Sequence, residues 1–211
     1  LVLDDETLIV GCGERSSAVG VRILAERVLR DQLVSRFVEV NIPVERATMH
    51  LDTVFTIIGP EDCVYFPPLF DPGHPHYPPA PARTYELVNG EITVSHQSPR
   101  GGLFEELERI GKPLKNRIKC GGESPLFQTR EQWTDGANLF AARPRVAFIY
   151  ERNTETIRAF ERNGYRVCAT REFCQTDPAT VDRTLVTLTG GELSRGRGGA
   201  RCMTLPISRT R

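Results

Sequence analysis

The apolar positions near the start of the chain predict a strand, a helix and a second strand. Residues 7–13, TLIVGCG, form a short apolar run closed by glycines, which is typical of a buried strand. Two capping serines open the segment 16–33, where apolar residues recur at helical spacing and predict an amphipathic helix to about Leu33. The run 37–44, FVEVNIPV, predicts another strand that Pro43 stops. This order favours a parallel or mixed sheet covered by helices, an α/β fold.

Two later segments share a pattern that predicts a repeated module. Segments 50–68 and 134–152 each have an acid at the head of an apolar strand, a tight polar turn, and a second strand that ends in aromatic residues. Residues 153–164 then predict a helix capped by Asn153, and 165–170 predict a strand, which completes a ββαβ order. Repetition of such a module implies a ring or a stack.

The middle of the chain contains a proline-rich insertion followed by clearer signals. We expect no regular structure from about 67 to 83, because prolines are too frequent there. Residues 84–96 predict a hairpin, since Asn89 and Gly90 are the preferred pair for a type I′ turn. Residues 100–112 predict a short helix.

Composition narrows the class of partner. The chain has 211 residues, 39% of them apolar, with 27 Lys+Arg against 27 Asp+Glu. This composition predicts one globular domain without the broad basic field that nucleic acid or an anionic membrane requires, so we expect a small-molecule ligand. We also expect a cytoplasmic protein, because no apolar run approaches the ~18 residues of a membrane span and the first residues are acidic.

The cysteines and histidines do not predict a metal site. The six cysteines are scattered and form no CxxC pair, so neither a disulfide framework nor a zinc site is favoured. His74 and His76, with His96 further along, form the only histidine cluster, for which we prefer a solvated, proline-stiffened loop. Each cysteine is therefore either a small core residue or a reactive thiol.

His50 and Asp52 are the first candidates for chemistry. They are two residues apart at the predicted start of a strand, where alternation places both side chains on one face and Leu51 on the other. A histidine and a carboxylate on one surface favour acid–base chemistry, and the alternative is a purely structural pair. Asp135 occupies the equivalent place in the second module without an adjacent histidine, so we expect it to be structural.

Cys202 is the predicted nucleophile. It follows a glycine-rich loop and opens the apolar run 203–207, which we expect to be a strand. Positive charge near a thiol favours the thiolate, and three arginines lie within seven residues of this cysteine: Arg195, Arg197 and Arg201. The alternative is a loop that binds an anion or RNA.

Arg15 lies between the first predicted strand and its helix. Folds of the α/β class commonly place ligand contacts in that connection. The arginine either binds a carboxylate there or is solvated.

These segments resemble a known family in chain order. GERSS, MHLDTVFT, EQWTDGANLFAARPRVAFIYERNT and GRGGARCMTLPISR are together similar to the C-terminal part of the arginine deiminase family, in the guanidine-modifying or pentein superfamily. The resemblance implies a pentein-type α/β propeller of ββαβ modules, of which this chain supplies a partial ring. Residues 1–211 would then be the C-terminal part of a single catalytic domain with a proline-rich insertion.

The resemblance also implies a reaction and the residues that perform it. The reaction is hydrolysis of L-arginine to L-citrulline and ammonia through a covalent thiouronium intermediate, without metal or organic cofactor. The implied roles are the nucleophile Cys202, the general acid and base His50, the guanidinium-binding Asp52, the carboxylate-binding Arg15 and Arg197, and a backbone contact from Gly196. The alternatives are an amidinotransferase, an agmatine deiminase, or a non-catalytic arginine-binding or assembly subunit.

Two departures from the family pattern qualify these implications. Arg201 stands where the family usually has a histidine before the cysteine. The family also supplies a glutamate and aspartates from upstream segments, including an EGGD sequence, that this chain does not contain. We therefore expect a fragment, a processed chain or a partial structure, whose partners are L-arginine and the N-terminal portion or a second copy.

Overall fold

The computed structural model describes residues 1–73, 79–177, 180–205 and 207, with side chains except those of 98–101. The strands are β1 (Thr7–Cys12), β2 (Arg36–Asn41), β3 (Phe55–Ile57), β4 (Asp62–Tyr65), β5 (Pro81–Val88), β6 (Glu91–Gly102), β7 (Asn116–Lys119), β8 (Phe140–Arg143), β9 (Val146–Tyr150), β10 (Arg166–Ala169) and β11 (Thr184–Leu188). The helices are α1 (Ala18–Arg30), α2 (Pro67–Phe70), α3 (Leu103–Arg109), α4 (Pro125–Trp133), α5 (Thr154–Arg162), α6 (Thr170–Phe173) and α7 (Gly191–Arg195). Within the described ranges, no helix has the length and apolar character that crossing a bilayer requires.

The chain divides into two compact units. The first unit comprises Leu1–Val54 and Pro67–Lys115, and the second comprises Phe55–Phe66 and Asn116–Arg211. Together their sheets establish the mixed α/β class that the sequence predicts.

The first unit is built on a sheet with the strand order β1-β2-β5-β6. Strands β1 and β2 are parallel and connected by α1, which confirms the predicted opening of the chain. The hydroxyl of Ser17 accepts a hydrogen bond from the N–H of Gly20 at 3.2 Å, as expected of an N-terminal cap. Helix α1 buries Val21, Ala25 and Leu29 against the sheet, and it ends at Arg30, three residues before the predicted end.

The proline-rich insertion is more regular than predicted. Pro67–Phe70 form the buried helix α2, and β5 begins at Pro81. Proline is tolerated in both places because neither the first turn of a helix nor the first residue of a strand requires its missing N–H. The solvated loop predicted at His74 and His76 lies outside the described residues.

The hairpin and the helix that follow are confirmed, but the hairpin is longer and the helix shorter than predicted. Asn89 and Gly90 have φ angles of 52° and 82°, as a type I′ turn between β5 and β6 requires. Helix α3 begins at Leu103 rather than Arg100, because β6 continues to Gly102.

The second unit contains both predicted repeat hairpins. Strands β3 and β4 are antiparallel and β7 pairs with β4 in parallel. Strands β8 and β9 are also antiparallel, in a sheet with the order β10-β11-β9-β8. The order β8, β9, α5, β10 is the predicted ββαβ sequence, but β11 lies between β9 and β10 in the sheet.

Helix α5 begins where the sequence predicts, but another residue satisfies its first N–H groups. The side chain of Asn153 bonds to Thr134 instead of capping the helix. The buried carboxylate of Glu131, from α4, accepts hydrogen bonds from the N–H groups of Glu155 at 2.8 Å and Thr156 at 2.7 Å. A carboxylate at this position also interacts favourably with the helix dipole.

Candidate functional site

His50 and Asp52 are in contact, but through a turn rather than a strand. His50 precedes a 3₁₀ turn formed by Leu51–Thr53, and β3 begins only at Phe55. The predicted strand alternation at this position is therefore wrong. The turn instead brings Nδ1 of His50 into an ion-pairing contact with Oδ1 of Asp52, with 36% and 21% of the side chains exposed.

Two local contacts fix this turn. The hydroxyl of Thr53 donates to the carbonyl of His50 at 2.6 Å, and the N–H of Thr53 donates to the same oxygen at 3.0 Å. Leu51 packs directly on β1, where a Cβ on Gly11 would lie only 2.9 Å from the Cβ of Leu51. Glycine at position 11 therefore allows the turn to lie against the strand.

Arg15 lies where the sequence predicts, in the connection between β1 and α1. The turn is closed by the N–H of Gly13, which donates to the carbonyl of Ser16 at 3.0 Å. The side chain of Arg15 is 55% exposed, and its Nε lies 3.5 Å from a carboxylate oxygen of Glu14. An exposed guanidinium can exchange this surface partner for another carboxylate, because such ion pairs are weak.

Cys202 is exposed in a turn, not at the start of a strand. After it, the N–H and hydroxyl of Thr204 both donate to the carbonyl of Arg201, at 3.0 and 2.8 Å. The apolar side chains that suggested a strand are 52% exposed at Met203 and 83% exposed at Leu205. The predicted strand is wrong because an apolar run forms one only where a neighbouring strand can pair with it.

The loop before Cys202 is held by residues near β8 and β9 that sequence reasoning missed. The carboxamide oxygen of Asn138 accepts the N–H groups of Arg201 and Cys202, at 3.1 and 3.2 Å. The hydroxyl of Tyr150 donates to the carbonyl of Gly198 at 2.7 Å. A polar asparagine among apolar residues of the second repeat was the available signal.

The environment of Tyr150 keeps its hydroxyl in the donating form. Burial, followed by the charges of Asp135 and Cys202, raises the pKa of the Tyr150 phenol above its ordinary value. Arg152 holds α7, the helix that precedes this loop, by donating from Nη1 to the carbonyl of Gly191 at 2.8 Å and to the hydroxyl of Ser194 at 3.1 Å. Several side chains therefore fix the segment that carries the thiol.

Arg197 is buried beside Asp135. Its Nε lies 3.8 Å from Oδ1 of Asp135, with the two side chains 3% and 0% exposed. Nη1 donates to the carbonyls of Gln132 and Trp133 at 3.2 and 2.9 Å, and the guanidinium carbon lies 4.9 Å from the centroid of the Trp133 ring. This contact with Arg197 agrees with the structural role that the sequence predicts for Asp135, although the sequence names no partner for it.

Two of the three arginines near Cys202 in the sequence have carboxylate partners within the second unit. Arg195 lies 3.5 Å from Glu192, while Arg197 lies beside Asp135. Gly196 ends α7, where its N–H donates to the carbonyl of Leu193 at 3.1 Å. The backbone of Arg197 has a φ of 62°, an uncommon value for a residue with a side chain, which its buried contacts hold in place.

Cys202 differs from most of the other cysteines in its exposure. All six are free, and only Cys174 and Cys202 are exposed. Burial raises the pKa of the Cys63 and Cys120 thiols far above the ordinary value, and burial also raises the pKa of Cys168. Only an exposed thiol can meet a substrate, so exposure favours Cys174 and Cys202.

The predicted site residues fall into two groups. The first unit brings His50 and Asp52 together and carries Arg15 at the turn between β1 and α1. The second unit carries the other group on one loop: Gly196, Arg197 and Cys202.

Comparison with known proteins identifies the family. The family model for arginine deiminase matches residues 1–209. The chain is 35% identical to the arginine deiminase of Limosilactobacillus reuteri over 212 residues and 34% identical to that of Listeria monocytogenes serotype 4a over 210 residues. Each match covers 99% of this chain and 45% of the relative, so the chain spans less than half the length of these curated relatives. On these grounds, the chain belongs to the arginine deiminase family.

Proposed function

We propose that the protein hydrolyses the guanidinium group of L-arginine to give L-citrulline and ammonia. The observation that carries the proposal is the family match over residues 1–209, together with an exposed cysteine at position 202. The contact between His50 and Asp52 adds support, because it places an imidazole beside a carboxylate at the two positions to which the resemblance assigns acid–base chemistry and guanidinium binding.

In the proposed reaction, a strong nucleophile such as a thiolate is needed, because resonance makes the central carbon of the planar guanidinium hard to attack. The sulfur of Cys202 attacks the central carbon, forming a C–S bond and a tetrahedral adduct. One C–N bond then breaks, and His50 donates a proton to the departing nitrogen, which leaves as ammonia. The product of this step is a thiouronium attached to the sulfur.

Water completes the proposed cycle. His50, now neutral, accepts a proton from a water molecule as its oxygen attacks the thiouronium carbon. The C–S bond breaks, the thiolate is restored, the added hydroxyl loses its proton to solvent, and the carbon leaves as the ureido group of citrulline. No electrons are gained or lost in either step, and the proposal assigns no cofactor.

Asp52, Arg15 and Arg197 have binding roles in the proposal. The carboxylate of Asp52 orients the guanidinium by charge-assisted hydrogen bonds. The exposed side chain of Arg15 suits the α-carboxylate of free arginine. Arg197 is assigned to the same carboxylate by resemblance, although its buried guanidinium already serves Asp135 and two carbonyls. A backbone contact to substrate is assigned to Gly196.

The proposal includes a larger architecture. The chain would form part of a single catalytic pentein-type propeller in the cytoplasm. Further acidic groups would come from sequence that the longer relatives contain and this chain does not. A second copy of the chain is an alternative source of contacts.

The test compares substrates and chain lengths. Citrulline and ammonia are measured from arginine, with agmatine and with arginine plus glycine as controls, for the 211-residue chain alone and joined to an arginine deiminase N-terminal portion. We expect equal amounts of citrulline and ammonia from arginine in the joined protein. Ammonia from agmatine alone, or amidino transfer to glycine, would contradict the proposal, and binding of arginine without turnover would favour an assembly subunit.

A further inference from the structure

We propose that Asn138 is a positioning residue for the nucleophile, an inference that rests on the proposed function of Cys202. Its side chain is built to hold the backbone of two consecutive residues at the thiol. The carboxamide oxygen accepts the N–H of Arg201 at 3.1 Å and the N–H of Cys202 at 3.2 Å. An additional contact joins the Arg201 N–H to the main-chain carbonyl of Asn138 at 3.5 Å.

Asn138 is itself held firmly. Only 1% of the residue is exposed, and its neighbours Ala137 and Leu139 are fully buried in the core of the second unit. Its own N–H donates to the carbonyl of Asp135 at 3.0 Å, at the turn between α4 and β8. The buried asparagine therefore fixes the backbone of the loop at Arg201 and Cys202 relative to the core of the second unit.

Gly199 makes this contact sterically possible. A Cβ at position 199 would lie 2.1 Å from Oδ1 of Asn138 and 2.6 Å from its Cγ, closer than any tolerable contact. At the adjacent Gly198 a Cβ would meet only the carbonyl oxygen of Leu193, at 3.4 Å. Substitution of Gly199 therefore tests the contact with Asn138, and substitution of the adjacent Gly198 serves as its control.

The chemistry favours an amide over a carboxylate at position 138. Both groups present an oxygen to the two N–H donors. A carboxylate would add a negative charge beside the thiol and disfavour the thiolate that attacks. Asparagine fixes the backbone without that electrostatic penalty.

Hydrogen exchange tests the contact without requiring turnover. In Asn138→Ala, the Cys202 amide loses its side-chain acceptor and the Arg201 amide keeps only the longer main-chain contact at 3.5 Å. We expect the exchange of both amides to accelerate, by about tenfold at Cys202. Asn138→Asp keeps the acceptor and should keep the protection. Gly199→Ala should reproduce the loss, whereas Gly198→Ala should not. Unchanged exchange in both Asn138→Ala and Gly199→Ala would overturn the inference.

Kinetics separate positioning from a general structural role. For the joined protein we expect Asn138→Ala to lower kcat by about 100-fold while KM changes by less than about threefold, because a displaced nucleophile impairs the chemical step. Asn138→Asp should restore most of that loss at high pH, with its pH profile moved upward. An unchanged kcat, or a rise in KM alone, would contradict positioning.

Alkylation of the thiol tests the inference even if the protein does not hydrolyse arginine. Iodoacetamide labelling of Cys202 is compared with that of Cys174, the other exposed thiol, across a range of pH. We expect Asn138→Asp to slow labelling of Cys202 at neutral pH by about threefold or more without affecting Cys174. Equal labelling in both proteins would oppose the inference, whereas absence of citrulline from the unsubstituted protein would oppose only the proposed function.

Discussion

At the scale of single residues, burial and partners determine which groups can react. Six cysteines occur in the sequence, of which the structure buries three, leaves one partly exposed and exposes two. The contact between His50 and Asp52, by contrast, is predictable from the sequence because the two residues are close in the chain. The predicted strand at this position is nevertheless wrong, since a 3₁₀ turn makes the contact. Asn138 could not be assigned from sequence, since its partners lie more than 60 residues away.

Labelling should distinguish the two exposed cysteines. We expect an arginine-analogue inactivator to form its covalent adduct at Cys202, so Cys202→Ser removes the adduct. Cys174→Ser should retain it, as should Cys63→Ser and Cys168→Ser. Peptide mass spectrometry identifies the modified residue, and an adduct persisting in Cys202→Ser would count against the assigned nucleophile.

A buried carboxylate in the first unit predicts a dependence of stability on acid. Burial opposes ionisation of Glu106, but hydrogen bonds from Arg109, Thr84 and His96 outweigh it and lower its pKa below the ordinary value of 4.5. The lowered pKa contributes stability above pH 4.5 that is lost as pH falls through the folded-state value.

The corresponding variant is Glu106→Gln. We expect its free energy of unfolding to fall less steeply than that of the unsubstituted protein between about pH 5 and 3, because the titrating group is absent. Urea unfolding at several pH values measures the slope. Glu108→Gln, on the exposed face of α3, serves as control and should keep the original slope. Identical slopes for all three proteins would show that Glu106 does not contribute.

At the scale of elements, local signals were predictable and distant pairing was not. The Asn89–Gly90 turn and the Ser17 cap depend on neighbouring residues and are confirmed. Strand β11 was not predicted, because its place between β9 and β10 depends on pairing across the fold. The same physics explains the wrong strand after Cys202, where the apolar run has no strand beside it among the described residues.

The cap of α5 is another long-range feature, and it gives a stability prediction. Glu131→Ala leaves the buried N–H of Thr156 and the part-buried N–H of Glu155 without their acceptor, so we expect a loss of about 2 to 3 kcal/mol in the free energy of unfolding. Glu161→Ala, on the exposed surface of α5, should change it by less than about 0.5 kcal/mol. Chemical denaturation compares them, and equal effects would refute the capping role of Glu131.

At the scale of the whole molecule, the neutral charge and the family membership are both consistent with the small-molecule substrate that we propose. The equal numbers of acidic and basic residues give no broad field for a nucleic acid. The family is identifiable from short segments that are widely separated in the chain and occur in the same order as in the family. The family model matches residues 1–209. The activity remains a proposal to be tested on the joined protein, because this chain covers 45% of the Limosilactobacillus reuteri relative.

The most direct measurement of the central claim is rapid-quench mass spectrometry of the joined protein during turnover of arginine. We predict a transient adduct on the peptide containing Cys202, with the mass of arginine less one ammonia, that disappears as citrulline forms. Citrulline formation without that adduct, or an adduct of this mass on another residue, would contradict the account.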